Sequence, residues 1–348
     1  MIFTGDIALP FFSIKLPDLL PQSRMWVGNL EGSVANGECG YKGGKGVYND
    51  YGAVRELLQH IPFKAFCLAN NHLTDFCDVN DSITRLHRLG VPSIGAGNIE
   101  DASKAVLVVD NDHVAYRILA FGWENIQCPH ATEQKDGVNP LTKLHVLTTV
   151  SGALKHPEPV ICFMHWDYEL EKYPQPYDRH IAHELIDMGV SAVIGCHAHR
   201  VQPVEFYKGK PIVYGLGNFL FYQGYFFEGQ LRFPKFCEEE YAFEITKEGY
   251  KLHYFKYDSQ ENRLDYVKSA EISEDKAFDG KAEFSGYTAK EYESFFKKNR
   301  VQKKLLPIFH TKESAMSYWM KSEWIKLRAW LLDTATRMNI KSAKRKDR

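Results

Sequence analysis

Six apolar runs of strand length each end on side chains able to bind a metal or an anion, and that placement constrains the fold more than any other feature of the chain. Asp6 follows the run that starts at Ile2, Asn29 and Glu31 follow 25–28, and Asn70, Asn71 and His72 follow 65–69. His165 follows 161–164, His197 and His199 follow 192–195, and Asn218 follows 212–214. In open α/β sheets ligands bind beyond the carboxyl ends of the strands, so residues in these positions are expected to converge on one crevice. Asp, Glu, Asn and His form a mixed nitrogen and oxygen donor set suited to Mn, Fe or Zn and poorly matched to a thiolate cluster. Each member alone has an ordinary reading: a histidine past a strand is commonly a surface residue, Asp6 can cap a helix, and Glu31 beside Gly32 can sit in a turn. Coincidence would have to recur at six strand ends.

The first 220 residues alternate such runs with helical periodicity, the pattern of an α/β protein. Further strands are expected at 91–94, 106–109 and 115–121, with helices over 51–60 (after the capping pair Asn49 and Asp50), 79–89 and 179–188. Alternation between Tyr241 and Val267 around Lys247, Glu248 and Gly249 predicts an antiparallel hairpin, so the sheets are mixed. Residues 268–296 are polar with little periodicity and read as a linker. The chain thus divides into a catalytic domain over 1–267 and, over 268–348, a linker followed by a basic amphipathic helical segment.

At 44% hydrophobic and 14% aromatic residues the 348-residue chain is globular, not disordered. Its net charge of −1 hides a split: residues 297–348 carry 15 Lys/Arg against 4 Asp/Glu, whereas residues 1–296 carry 28 against 40. From Ser314 onward, Met316, Trp319, Met320, Trp324, Leu327, Trp330, Leu331 and Met338 recur every three or four residues among Lys321, Lys326, Arg328 and Arg337. This stripe is expected to pack on the domain, with peripheral contact of residues 314–348 to an anionic membrane as the alternative. No recognition motif points to nucleic acid. No run reaches the roughly 20 apolar residues of a membrane span. The opening Met1-Ile2-Phe3-Thr4-Gly5-Asp6 reads as a strand and not as a leader, so the expected location is cytoplasmic, with the inner membrane face as a possible site of contact. Seven scattered cysteines without C-x-x-C spacing suit reduced thiols. The segment 37–46, with five glycines and two lysines, lacks the ending of a P-loop and reads as a surface loop, with capture of an anion by Lys42 and Lys45 as the alternative.

Several segments together resemble one family. Gly5-Asp6, Asn29-Leu30-Glu31-Gly32, Asn70-Asn71-His72 with Asp75, Gly95-Ala96-Gly97-Asn98, His165-Trp166, Gly195-Cys196-His197-Ala198-His199 with Gln202, and Gly215-Leu216-Gly217-Asn218 are similar to the CapA family. That family is associated with poly-γ-glutamate capsule synthesis and resembles the calcineurin-like metallophosphoesterases. The resemblance runs in order from about residue 2 to 222. It implies a four-layer α/β/β/α sandwich of mixed sheets with two divalent metals (Mn, Fe or Zn) at one edge. Position by position, Asp6, Glu31, Asn71, His165, His197 and His199 match metal ligands, with Glu31 as the bridging carboxylate. His72 matches the catalytic acid and Asp75 its orienting partner; Asn29, Asn70, Arg200 and Asn218 are candidates to bind substrate. Two departures stand out. Asp6-Ile7-Ala8 replaces the superfamily's Asp-x-His, which removes one histidine ligand, and Asp167, Glu169 and Glu171 are expected to bring extra carboxylates to the mouth. The implied function is a two-metal hydrolase of capsule or extracellular polymer synthesis, acting on an anionic small molecule or polymer precursor through a phosphoester. The alternatives are a γ-glutamyl amide hydrolase and a non-catalytic assembly protein with a degraded metal site. Oligomeric state has no signature in the sequence.

Overall fold

The expected opening strand forms at Ile2–Ala8 with all seven residues buried. A strand buried on both faces belongs in the interior of a covered sheet. In the computed structural model, which describes all residues except 19, 22, 23, 40–43, 302–304 and 338–348, it does so. Its sheet has eight strands. Trp26–Leu30, Phe63–Cys67 and Ser93–Ile94 continue from it in parallel, and Glu239–Ile245, Tyr250–Asp258 and Arg263–Ile272 extend the other side in antiparallel fashion. Asn218–Phe221 also pairs with Ile2–Ala8, in parallel.

The second sheet has six strands in the order Val204–Tyr207, Lys210–Val213, Ala192–Cys196, Val160–His165, Ala115–Gly122 and Val106–Val109. Its four central strands are parallel and its two edges antiparallel. The two sheets share one hydrophobic core, in which Phe3 and Phe163 meet across the interface with ring centroids 6.5 Å apart. Helices Tyr51–His60 and Val79–Arg88 cover the first sheet, and Lys143–Ala153 and Pro176–Met188 the second, completing the four layers. The first of these begins where predicted because the Asp50 carboxylate accepts hydrogen bonds from the Gly52 and Ala53 amides, and it buries Ala53, Val54 and Leu57.

The region beyond the hairpin departs from expectation. Residues 263–272 form a third antiparallel strand paired from Asp258↔Arg263 to Tyr250↔Ile272, so the boundary expected at 267/268 falls inside a strand. This is the edge of the sheet, and its outward side chains are exposed, which left no apolar alternation to read. The expected linker also ends inside helix Ala289–Asn299, started by a capping box between Thr288 and Glu291 and anchored by buried Tyr292 and Phe296.

Helix Ala315–Arg337 does pack on the domain, through a different face from the one expected. Tyr318, Ser322 and Ile325 turn inward, and the Tyr318 hydroxyl accepts a 2.7 Å hydrogen bond from Trp123 Nε1. The predicted stripe of Met316, Trp319, Met320, Trp324, Leu327, Trp330 and Leu331 stays 41 to 64% exposed. Met338 lies outside the described residues. No described helix is long and apolar enough to cross a membrane.

Candidate metal centre

Strand register brings the polar residues together. Asp6 stands opposite Asn29 in one parallel pairing and opposite Asn218 in another, while in the second sheet His165 stands opposite Cys196. The approach of the Asn218 segment depends on Gly5, since a Cβ there would lie 1.9 Å from the Gly217 carbonyl oxygen. Two sheets facing each other then set their strand ends on one crevice.

The turn after Ala192–Cys196 is held in an unusual conformation. His197 and His199 have φ of 90° and 54°, a region that side chains with a Cβ seldom enter unless their surroundings over-determine it. The surroundings here are polar and buried. The His197 amide donates to Asp6 Oδ2 at 3.1 Å, and His199 Nδ1 lies 2.9 Å from Asn218 Oδ1 and 3.4 Å from Asp6 Oδ2.

Two groups of donor atoms result, Asp6, His165 and Cys196 in one and Glu31, His197 and His199 in the other, each with its atoms within 4.8 Å of one another. Asn71 Oδ1 lies beside the first, 2.8 Å from His165 Nε2, while Cys196 Sγ lies 3.1 Å from the other ring nitrogen, Nδ1. Glu31 is fully buried, and neither of its carboxylate oxygens has a hydrogen-bond partner, though Oε1 is 3.7 Å from His199 Nε2 and 3.8 Å from His72 Nε2. Burying a carboxylate without partners is costly, and proteins meet the cost by keeping the group protonated or by setting a cation beside it. Burial raises the Asp6 carboxyl above its usual range, and burial together with the charges of Asp6, Glu169 and Asp75 raises Glu31 further. Burial also holds His199 below its ordinary value and His165 well below it, so both imidazoles are neutral, the form that ligates a metal.

His72 and Asp75 meet as expected, Nδ1 to Oδ2 at 2.7 Å, with the histidine at the cleft and its Nε2 toward Glu31. The four candidates for substrate contact do not line the cleft. Asn29 is buried and donates to Asp6 Oδ1 at 2.8 Å; Asn218 is buried against His199. Asn70 spends its side chain on the backbone, accepting from the Gly32 and His72 amides and donating to the Leu30 carbonyl. These three hold candidate ligands and loops in place. Arg200 stacks on Phe236 at 4.4 Å and donates to the Leu170 carbonyl. Of the extra carboxylates, only Glu169 reaches the cleft. Asp167 and Glu171 are buried, and Asp167 accepts from Gln175 and Gln202 and is pushed up to about 8 by burial and by the charge of Glu171.

The cleft over the site has a volume of about 590 Å³ and carries two arginines that sequence reasoning missed, Arg232 and Arg328. Arg328 comes from the C-terminal helix, is half-buried, and has a buried Nε without a hydrogen-bond partner. Nothing in the local sequence marks either residue, because their proximity to His72 arises only from long-range packing. Cys196 is a candidate donor outside the expected nitrogen and oxygen set; the signal that marks it is its place between a strand end and His197. Lys45 is exposed and is not among the residues lining the cleft, and Lys42 lies outside the described residues.

Among characterised proteins, the chain is 29% identical over 173 residues to the PGA biosynthesis protein CapA of Bacillus subtilis, covering 49% of this chain and 46% of that one. It is 29% identical over 177 residues to the capsule biosynthesis protein CapA of Bacillus anthracis, covering 49% and 43%. A probable polyglutamine synthesis accessory protein of Mycobacterium tuberculosis is 30% identical over 164 residues, with 43% of each chain covered. The match thus spans less than half the length of these relatives. One solved structure, the calcineurin-like phosphoesterase YfkN from Bacillus subtilis, aligns over 78% of this chain and 75% of its own with a TM-score of 0.35 and 11% identity. Residues 10–223, the stretch that holds every ligand candidate except Asp6, match the family model described as bacterial capsule synthesis protein PGA_cap, and the chain belongs to that family.

Proposed function

We propose that this protein is a metal-dependent hydrolase of capsule or extracellular polymer synthesis, acting on a phosphoester of an anionic precursor. The observation that carries the reading is Glu31, a fully buried carboxylate whose two oxygens accept no hydrogen bond and which faces His197 and His199 in a cluster of metal-binding geometry. Asp6, Asn71, His165 and Cys196 would hold one divalent ion, and Glu31, His197 and His199 a second, with Glu31 as the candidate bridge. Ala8, buried where the superfamily has a histidine, leaves the first set one nitrogen poorer. When bound, divalent ions supply Lewis acidity and a nucleophile at neutral pH.

The chain's own groups account for the remaining chemistry. His72, held by Asp75 and facing the cleft, is in position to donate a proton to a leaving oxygen. Asp75 keeps the ring oriented. Arg232 and Arg328 give the cleft a positive rim that suits an anionic, tetrahedral phosphoryl group better than a neutral amide. Asn29 and Asn218 orient Asp6 and His199 from behind.

Elemental analysis of protein purified without chelator, paired with a screen of phosphomonoesters, phosphodiesters and γ-glutamyl peptides, tests this. First-row metal together with chelator-sensitive phosphoester turnover is the expected result. Protein that holds no divalent metal and binds none on titration overturns it, and metal without turnover on any of the three classes assigns an assembly role instead.

A further inference from the structure

We propose that the outer face of helix Ala315–Arg337 is a docking surface for an anionic lipid bilayer. On a 3.6-residue repeat Met316, Trp319, Trp324, Leu327, Trp330 and Leu331 fall along one side of this helix, and all are substantially exposed. The opposite side is already occupied: Tyr318 and Ile325 are packed on the domain, and Ile325, Arg328 and Ala329 form part of the cleft wall. The outward face is therefore not a core stripe awaiting its own domain. An apolar helix face of this size turned to water is the mark of an interaction surface.

Three tryptophans along the stripe suit the headgroup boundary of a bilayer, where an indole is apolar on its faces and polar at its nitrogen. Trp324 already satisfies its Nε1 by donating to the Leu305 carbonyl at 2.7 Å, and Leu305, 66% exposed, extends the patch. Charge selects the kind of bilayer. Residues 315–348 carry nine Lys/Arg and three Asp/Glu, five of the nine between Lys341 and Arg348, while residues 1–296 are acidic by twelve charges. This charge at the end of the sequence favours an anionic surface over a neutral one. A second copy of the chain is disfavoured by the same charges, since a symmetric contact through this helix would bring two basic segments together. Within the face, Glu323 is the single acid, and it lies 3.2 Å from Lys326. Docking there would put a bilayer one helix diameter from the cleft wall that carries Arg328.

Flotation of the full-length protein with phosphatidylglycerol/phosphatidylcholine vesicles, and with phosphatidylcholine alone, tests the proposal. Its outcome is independent of metal content and of any hydrolytic activity. Binding to the anionic vesicles only, weakened by salt and accompanied by a blue shift of tryptophan emission, is expected. Combined Trp319→Ser, Trp330→Ser and Leu331→Ser should weaken that binding by about tenfold or more while leaving the circular dichroism spectrum unchanged and the thermal midpoint close to the parent, because these side chains are 49 to 61% exposed and Trp324, which bonds the Leu305 carbonyl, is kept. Combined Lys341→Glu, Lys344→Glu and Lys346→Glu should remove the preference for anionic lipid. Absence of flotation with the anionic vesicles, equal binding to neutral ones, or full retention by the tryptophan variant overturns the proposal. So does a concentration-dependent dimer in sedimentation velocity that the tryptophan variant dissolves, which would assign the face to a second copy.

Discussion

The His197 amide donates to Asp6 Oδ2 at 3.1 Å, tying the turn of one sheet to the central strand of the other across 191 residues. The bond holds His197 at φ 90° and sets His199 beside the same carboxylate. Asp6→Ala should therefore damage both sets of ligands, abolishing tight metal binding and lowering stability by about 1–3 kcal/mol through orphaned buried donors. Metal titration and denaturant unfolding report the two effects separately. Unchanged metal stoichiometry would show that Asp6 does not organise the centre.

His72 faces the cleft without belonging to either donor group. His72→Ala is expected to retain metal and to lose about 10²–10⁴-fold in kcat on a phosphodiester with a poor leaving group. The loss should be much smaller on an aryl ester whose leaving group needs no proton. Equal losses on both substrates would count against a proton-donating role.

Arg232→Ala and Arg328→Ala should raise KM by about tenfold each with little change in kcat, as expected for groups that bind an anionic substrate and its transition state alike. Thermal midpoints are expected to stay close to the parent, since Arg232 is exposed and Arg328 is half-buried at the cleft wall. A KM unaffected by both substitutions would exclude them from the binding site.

Glu240 lies on a central strand, fully buried, with neither carboxylate oxygen hydrogen-bonded. Burial, aided by the charge of Glu238, raises its pKa well above the usual carboxylate range. The native state therefore retains a proton that the unfolded chain releases near its ordinary value of 4.5, and stability falls as pH rises from there towards the native pKa. Glu240→Gln should flatten that dependence and stabilise the protein at neutral pH by about 1–3 kcal/mol. Urea unfolding from pH 5 to pH 8 measures it, and parallel parent and variant curves would contradict the assignment.

Arg179 donates to Glu205 through Nε at 3.0 Å and Nη2 at 2.6 Å, and both residues are buried. Glu205 also accepts from the Tyr214 hydroxyl. Truncating the arginine leaves this buried carboxylate with only the Tyr214 hydroxyl and His183 Nε2, 3.1 Å away, so Arg179→Ala should cost about 3 kcal/mol and leave metal stoichiometry intact in the folded fraction. A loss under 1 kcal/mol in chemical denaturation would mean that water reaches Glu205.

Much of the candidate centre was legible because its candidate ligands stand immediately past strands whose apolar runs are short and clean. Parallel pairing then converts position in sequence into position in space, which is why Asp6, Glu31, Asn71, His165, His197 and His199 could be named together and do lie at one crevice. Three asparagines were assigned to substrate because strand-end position alone does not say whether a side chain points to the cleft or back to the scaffold. Asn70 illustrates the difference, with both ends of its amide consumed by backbone groups.

Local patterning by itself determined the alternation of strands and helices, the mixed sheets, and the residue types gathered at the strand ends, since each depends on short-range periodicity. Tertiary structure alone decided what crosses long distances: the polar edge strand Arg263–Ile272, the arrival of Arg232 and Arg328 in the cleft that His72 lines, and which side of the C-terminal helix is covered. That helix is apolar on two sides, so its spacing could not reveal which side the domain would take. Only packing against Trp123 and its neighbours removes one side from water and leaves the tryptophans on the other.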